Sequence, residues 1–519
     1  MSFKNLCDMA RRRETWFSLS AVFFAWFAAV LLLQSLGDPV RNEYAGLLAM
    51  LLLFCASSRW SFWGVVVPLT AFVTAYSPVG REYGVPSYQY VVSLLATNAG
   101  EATEFLSLFS WKTWGLTLLL PAVVAAMYGT LKRSGFDLCR CKPLVIGTVI
   151  LATVVAKPTK FVDHVKEAVK YAKQDQSLVT EGVGVNLWGG VKRQSNQYQN
   201  FCLILGESAR RDYFHVYGYP VENTPFLDRV NGTVVSGLTS GDIYTVGSLR
   251  LMLTRGDPIA RTPDYGRTVV GLAKAGGFAT YWFSNQGLSG KHDSPVAAIA
   301  LQSERNVFMK TGDYTVGNTS DFRLLKLLEQ ALKDGEKRPR FIVLHTMGSH
   351  PHVCERVTSW SPKTLTDRKH QDVACYSDSI AQTDELIRQV YVDLKQHEKK
   401  TGEKFSIIYL SDHGLSHYEH DGRIGIGPGL GGVSRYQCDI PLVRINSDDT
   451  EHRVVKSHKA GVLVTNGLGR WLGLAGEELL SYDLFDGISD RSDYGFAAWM
   501  AAKSPKNDPA VDVRPYTKR

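Results

Sequence analysis

Two motifs, one around residue 207 and one around residue 412, carry the residue types that could do chemistry. The first is Phe201-Cys-Leu-Ile-Leu-Gly-Glu207-Ser208-Ala-Arg210. The second is Phe405-Ser-Ile-Ile-Tyr-Leu-Ser-Asp412-His413-Gly414. Glu207, Ser208, Asp412 and His413 together supply two carboxylates, a hydroxyl and an imidazole. That set suits a zinc ion whose hydroxyl ligand, Ser208, acts as the nucleophile. A free serine is a weak nucleophile, and coordination to zinc would lower its pKa. Ser208 could equally cap a helix opened by Ser-Ala-Arg-Arg. The same helix start would offer free N–H groups and a positive dipole end to a phosphate. Asp412 and His413 directly after a buried strand are costly polar residues. A metal shared with Glu207 would offset that cost; a hydrogen-bonded pair at a turn is the alternative.

The elements that must position these groups follow from the apolar runs. Each motif reads as a buried parallel strand that delivers polar residues at its C-terminal end. Active sites of open α/β sheets form at that edge. Candidate strands are 201–205, 278–284, 341–345, 405–410 and 440–445, and helical stretches lie near 320–334, 377–397 and 459–472. This alternation predicts an α/β domain with a mostly parallel sheet covered on both faces. A third strand ends in His345-Thr-Met-Gly-Ser-His350, where His350 should reach the mouth of the site and His345 reads as structural. A fourth ends in Asn285-Gln286, which offers amide donors. Arg250 and Arg255 are candidate phosphate contacts, with plain surface arginines as the alternative. No Walker A loop and no GxGxxG fingerprint are present, so nucleotide binding has no support.

The 519 residues carry a net charge of +8, without the dense basic stripe of a nucleic-acid binder. Anionic lipid explains the excess more simply. The long apolar runs crowd into the N-terminal part: Trp16–Leu36, Tyr44–Ala56, Ser61–Tyr76, Thr113–Leu131 and Pro143–Ala156. Read as five transmembrane helices, they leave Arg11–Arg13, Arg59, Lys132, Arg133, Arg140 and Lys142 on one side, the cytoplasmic one. The loop 79–112 and everything after the fifth span then lie outside. We expect a transmembrane domain over 1–157, an interfacial helix and linker over 158–199, and an outer domain over 200–519. In the outer loop, Glu101 and Glu104 share a helical face and follow Asn98. They are either a solvated turn or carboxylates for the amine of an ethanolamine head group. Cys354 and Cys375 flank a polar stretch. A disulfide there would close a surface loop and contribute roughly 3 kcal/mol; two free thiols are the alternative.

With these residues in view, the chain resembles the membrane-bound phosphoethanolamine transferases that carry a sulfatase-like outer domain. The resemblance rests on Gly206-Glu-Ser-Ala-Arg210, Tyr217-Gly-Tyr-Pro220, Asn223-Thr-Pro225, His345-x-x-Gly-x-His350, Ser411-Asp-His-Gly414 and Thr97-Asn98-x-x-Glu101. Trp282-Phe-Ser-Asn-Gln-Gly287, Gly348-Ser-His-Pro351 and a serine in place of a threonine nucleophile bring it nearest the branch that modifies osmoregulated periplasmic glucan.

The resemblance implies an alkaline-phosphatase-like fold and zinc held by Glu207, Ser208, Asp412 and His413. It implies attack of Ser208 on phosphatidylethanolamine, release of diacylglycerol and transfer of phosphoethanolamine to a periplasmic glycan hydroxyl. It further implies a multi-pass protein of a bacterial inner membrane with its catalytic domain in the periplasm, a Cys354–Cys375 bridge, and His350 and Glu101 serving the substrate or a second metal, with Asn98 and Asn285 as further substrate contacts. One departure is visible: the stretch Ile424–Val433 lacks the further histidine usual in the family, for which His417 and His420 are the candidate substitutes. Competing readings are a lipid A or core-sugar transferase, a phosphoglycerol transferase or hydrolase on the same scaffold, and a silent membrane-anchored glycan-binding protein. A true sulfatase is disfavoured because Ser208 lacks the Cys/Ser-x-Pro-x-Arg context.

Overall fold

The structure is a computed structural model that describes residues 3–37, 41–83, 106, 109–135, isolated positions between 146 and 182, and then 184–288, 295–311, 319–357, 364–429 and 432–517. The chain divides into two compact units, an N-terminal helical one and an outer one that takes Tyr171–Arg519.

In the first unit the longer described helices are α1 (Phe3–Ser35), α2 (Asn42–Ser57), α3 (Val67–Tyr83) and α4 (Trp111–Ser134). A π-helical turn, Phe62–Val66, leads into α3. Ala21, Ala25, Ala28 and Ala29 form a buried small-residue seam on α1, which lets helix backbones approach closely. Three segments among the described residues are long and apolar enough to cross a membrane: Arg13–Ser35, Arg59–Arg81 and Trp111–Ser134. The sequence suggested five. The second expected span is α2, whose 16 residues reach only about 24 Å against a hydrocarbon core of about 30 Å. The fifth, Pro143–Ala156, lies outside the described residues except for 146–148. Asn98 and Glu101 also lie outside them, as does most of the expected interfacial helix.

The outer unit is built on an eight-stranded sheet. Its strands are β1 (Asn200–Gly206), β2 (Gly232–Thr239), β3 (Ala279–Leu288), β4 (Arg305–Thr311), β5 (Arg340–His345), β6 (Phe405–Ser411), β7 (Asp439–Asn446) and β8 (His452–Lys459). The spatial order is β8-β2-β7-β6-β1-β5-β3-β4. Every pairing is parallel except the two made by β7. The five strands expected from the sequence are all present. The three that were not foreseen include both edges, β4 and β8, whose polar residues break the apolar runs; at a sheet edge only part of the strand is covered.

Helices α5 (Thr245–Met252), α6 (Leu324–Leu332), α7 (Gln371–Thr401) and α8 (Val464–Trp471) accompany the sheet. One core layer joins Ile204, Ile342, Ile407 and Ile380, and the other joins Leu203, Val343, Ile408 and Leu468. The segment read as a linker is shorter than expected. Val179 and Trp188 are buried in the second layer, and the Trp188 Nε1–H donates to the Thr268 carbonyl at 2.8 Å. Lys192–Arg193 pairs with Leu474–Ala475. Cys354 and Cys375 form a disulfide.

Candidate active site

Strands β1 and β6 run side by side in parallel register, with Gly206 opposite Ser411. The next residues, Glu207 and Asp412, therefore leave the sheet together, and His413 follows. Glu207, Asp412 and His413 are buried and each brings a ligand atom within 4.8 Å of the others. His413 Nε2 lies 3.4 Å from Asp412 Oδ2 and 3.7 Å from Glu207 Oε1. The backbone places Ser208 in the left-handed region at φ 59°, a costly conformation for a residue with a Cβ. There its N–H donates to Asp412 Oδ1 at 2.8 Å.

Three features aim this cluster at a cation. Asp412 Oδ1 accepts from the N–H groups of Ser208 and His413, while Oδ2 is buried without a hydrogen-bond partner. A buried carboxylate oxygen left this way is costly. The His413 Nδ1–H donates to the Gly414 carbonyl at 2.7 Å, which fixes the tautomer and leaves Nε2 as a lone-pair donor. Glu207 Oε2 accepts from the Gln286 amide at 2.9 Å, and that amide also donates to the Thr346 carbonyl. Burial, followed by the neighbouring Asp412, holds the Glu207 pKa above the usual carboxylate range. Burial works against charge on His413, but Asp412 and Glu207 outweigh it and raise its pKa. Removing these mutual strains is what a divalent ion would do.

Two hydroxyls meet the cluster. The Ser208 hydroxyl, the one singled out from the sequence, donates to Glu207 Oε1 at 2.6 Å and is 1% exposed. The other belongs to Thr245, the first residue of α5. Its Oγ1 lies 3.3 and 3.4 Å from the two Glu207 oxygens and 3.2 Å from His413 Nε2. Thr245 is half-buried and sits in a helix first turn, where unpaired N–H groups favour an anion. Sequence reasoning missed it because it follows a Gly-Asp-Ile-Tyr loop and ends no apolar run. The one available signal was a hydroxyl residue at the start of a short helical stretch.

The remaining expected site residues divide. His350 lies near enough to Glu207 to act on its charge. Its loop packs directly on Glu207: a Cβ at Gly348 would meet the Glu207 backbone at 2.9 Å. His345 is buried, its Nδ1 is 3.1 Å from the Ser284 hydroxyl, and burial pushes its pKa down to about 4. Asn285 is fully buried, and its amide donates to the Thr319 carbonyl and to Asp321 Oδ1. Asp321 in turn accepts from the Met347 and Gly348 N–H groups. Asn285 thus supports the loop that carries His350, and Gln286 is the residue of that pair that touches the cluster.

Arg255 pairs with Glu478. His417 lies 2.6 Å from the Tyr213 hydroxyl and 3.4 Å from Asp508; among the described residues the candidate metal group holds Glu207, Asp412 and His413 and not His417. Arg210 binds the two motif loops together. It is fully buried, donates to the Leu415 carbonyl and pairs with Asp212 at 2.7 Å.

The Sulfatase family matches residues 199–476. The chain is 37% identical over 440 residues to a Haemophilus influenzae protein named for phosphoethanolamine transfer, covering 83% of this chain and 88% of that one. It is 30% identical over 496 residues to phosphoethanolamine transferase OpgE of Escherichia coli, covering 90% and 92%. Among solved structures, the integral membrane lipooligosaccharide phosphoethanolamine transferase A of Neisseria meningitidis shares the fold with a TM-score of 0.60. At 15% identity it covers 89% of this chain and 97% of that one.

Proposed function

The chain belongs to the sulfatase-domain phosphoethanolamine transferases, and from that premise we propose that it moves phosphoethanolamine from phosphatidylethanolamine to a periplasmic glycan hydroxyl through a covalent threonine intermediate. The nucleophile in this reading is Thr245, not Ser208. The observation that carries it is the position of Thr245 Oγ1, within hydrogen-bond reach of both Glu207 and His413 at a helix N-terminus. Ser208 is given a supporting role, holding Glu207 and Asp412 from the loop between them.

Glu207, Asp412, His413 and the Thr245 hydroxyl would hold zinc. The ion would lower the pKa of the hydroxyl and neutralise charge on the phosphoryl oxygens. The first turn of α5 receives the phosphate. Attack forms the bond from Thr245 Oγ1 to phosphorus and breaks the bond from phosphorus to the glycerol oxygen. Diacylglycerol leaves as the alcohol, carrying the proton that the threonine gave up. The acceptor hydroxyl then forms its own bond to phosphorus as the bond from Thr245 Oγ1 to phosphorus breaks, and the proton the acceptor gives up returns to Thr245. His350, Asn98 and Glu101 are the substrate contacts in this reading. The glycan acceptor is supported by the branch motifs around Trp282 and Gly348 and by the similarity to OpgE. A multi-pass protein of a bacterial inner membrane, with the catalytic domain in the periplasm, is supported by the three long apolar helices and by the Lys/Arg bias.

The test is intact mass and peptide mapping of the detergent-solubilised protein after incubation with zinc and phosphatidylethanolamine. A phosphoethanolamine adduct on Thr245, lost in Thr245→Ala and kept in Ser208→Ala, is the expected result. An adduct on Ser208 would return the nucleophile to the first motif. Zinc bound with no adduct and no lipid consumed would remove the proposed donor.

A further inference from the structure

We propose that the outer domain carries a second carbohydrate-binding site at the sheet edge opposite Glu207. The proposal rests on the glycan-acceptor reading and names where the rest of that glycan is held. A cavity of about 540 Å³ opens at this edge, within the range of small-molecule sites. Its walls come from Gln194–Tyr198 in the chain entering β1, the end of β7, the end of α8 with the turn after it, and the segment of Asp483 and Phe485. The first of these is the end of the stretch 158–199 in which the sequence suggested a linker.

Arg444 is the centre of the argument. Its guanidinium stacks 4.8 Å over the Phe485 ring, and its one hydrogen bond is a long one, 3.5 Å to the Thr233 hydroxyl. Its Nε is buried with no hydrogen-bond partner. Arg444 lines the cavity, and the guanidinium N–H groups not engaged by Thr233 can donate to an oxygen acceptor there. Around it the cavity presents Asn446, Gln194, Arg470 and the aromatic rings of Tyr198 and Trp471.

These groups are held in place. The Trp471 Nε1–H donates to Ser406 at 2.6 Å, and its ring meets Phe201 edge-on at 5.1 Å. Asn446 is fixed by Asp449 and Ser406. The Tyr198 hydroxyl donates to Asp448 at 2.7 Å.

The chemistry selects a neutral sugar. Vicinal hydroxyls are paired donors and acceptors, which planar guanidinium and amide groups match two at a time, while the C–H face of a hexose packs on an aromatic ring. Asp483 also lines the cavity, 3.3 Å from Arg470. Its charge is met by Arg470, and a sugar hydroxyl can donate to a remaining carboxylate lone pair. Strand β1 separates the two edges by about 20 Å, at roughly 3.3 Å per residue. A glycan long enough to span that distance would be tethered at the cavity while one of its hydroxyls is presented at Thr245. Tethering raises the local concentration of acceptor without a new contact at the reacting atoms.

The test uses the full-length, zinc-loaded enzyme in detergent with phosphatidylethanolamine and two acceptors, a long neutral gluco-oligosaccharide and a glucose disaccharide. Arg444→Met keeps the side-chain stem and removes the guanidinium. Arg470→Ala changes an exposed residue whose one ion pair is with Asp483, so it carries the test if Arg444→Met does not fold. We expect KM for the long acceptor to rise about tenfold, the equivalent of about 1.4 kcal/mol, with kcat and the disaccharide KM unchanged. Wild-type transfer with neither KM moved in the variants overturns the cavity site and leaves the glycan reading standing. Equal loss on both acceptors also overturns it. A wild type that forms the Thr245 adduct yet accepts no gluco-oligosaccharide overturns both.

Discussion

At one edge of the sheet, polar side chains are buried and crowded together; at the other they are half-exposed and surround open space. Glu207 and Asp412 are 1% and 0% exposed, and the candidate ligand atoms converge to within 4.8 Å. Arg470, at the far edge, is 56% exposed and faces a cavity of about 540 Å³. Bond making needs atoms held close and dry, because charge developing in the transition state is stabilised best where water is excluded. Holding a substrate needs volume and adaptable donors. The comparison therefore predicts that damage at the first edge removes rate, while damage at the second weakens binding alone.

The largest effect tests the first half of that statement. Thr245→Ala should lower transfer by a thousandfold or more, on the order of 4 kcal/mol of barrier, with zinc still bound by the three remaining ligands. Ser208→Ala should cost far less, since its backbone N–H still reaches Asp412. Steady-state transfer and zinc stoichiometry measured on the same samples decide the matter. If the two variants are equally inactive, the distinction between nucleophile and support collapses.

Next comes the residue that steadies the metal ligand. Gln286→Leu removes the amide that orients Glu207 Oε2. Outer-shell partners of this kind change metal affinity by about 10–100-fold. Competition with a chelator should show tighter zinc binding in the wild type. Unchanged affinity would mean that Glu207 is positioned by Ser208 and Thr245 without help from β3.

The disulfide gives a smaller effect, on stability rather than chemistry. Cys354 and Cys375 close a loop that begins just after the segment that carries His350. Cys354→Ser should destabilise the outer domain by about 3 kcal/mol on the chain-entropy account, read as a lower denaturant midpoint. Once folded, the variant should keep most of its transfer rate; a lost rate with an unchanged midpoint would place the bridge in the site.

The same contrast explains what could be read from the sequence. Residues that end buried strands were legible, because an apolar run followed by Glu207 or Asp412 marks both the strand and the polar group it delivers. Five strands and the buried cluster of Glu207, Asp412 and His413 followed from that rule. Thr245 was not legible: its place depends on α5 being laid across the ends of β1 and β6 by a loop with no periodic pattern. Asn285 was assigned over Gln286 because a one-residue choice at a strand end depends on a register that sequence alone does not supply. The edge strands β4 and β8 were hidden by their polar residues. The cavity was hidden twice over, since its walls come from four distant segments and one of them had the composition of a linker.

A buried carboxylate remote from both edges separates burial from chemistry. Asp384, on α7, accepts the N–H groups of Phe226 and Leu227 at 2.9 and 3.0 Å. Burial pushes its pKa up to about 7, against about 3.9 in an unfolded chain. A raised folded pKa means that the native state holds the proton more tightly. Its contribution is fully present below pH ~4 and is lost as pH rises through about 7. Asp384→Asn removes that titration and keeps an acceptor for one of the two N–H groups. Between about pH 5 and 8 the wild type should therefore lose more stability than the variant, measured as the shift in thermal midpoint of each. Transfer activity should be the same in both, because no atom of Asp384 reaches the cluster. If the two midpoints shift in parallel, Asp384 is ionised throughout that range and its two backbone donors suffice to hold the charge. Burial by itself would then be too weak to perturb a carboxylate in this domain, and the raised pKa of Glu207 would have to be traced to Asp412.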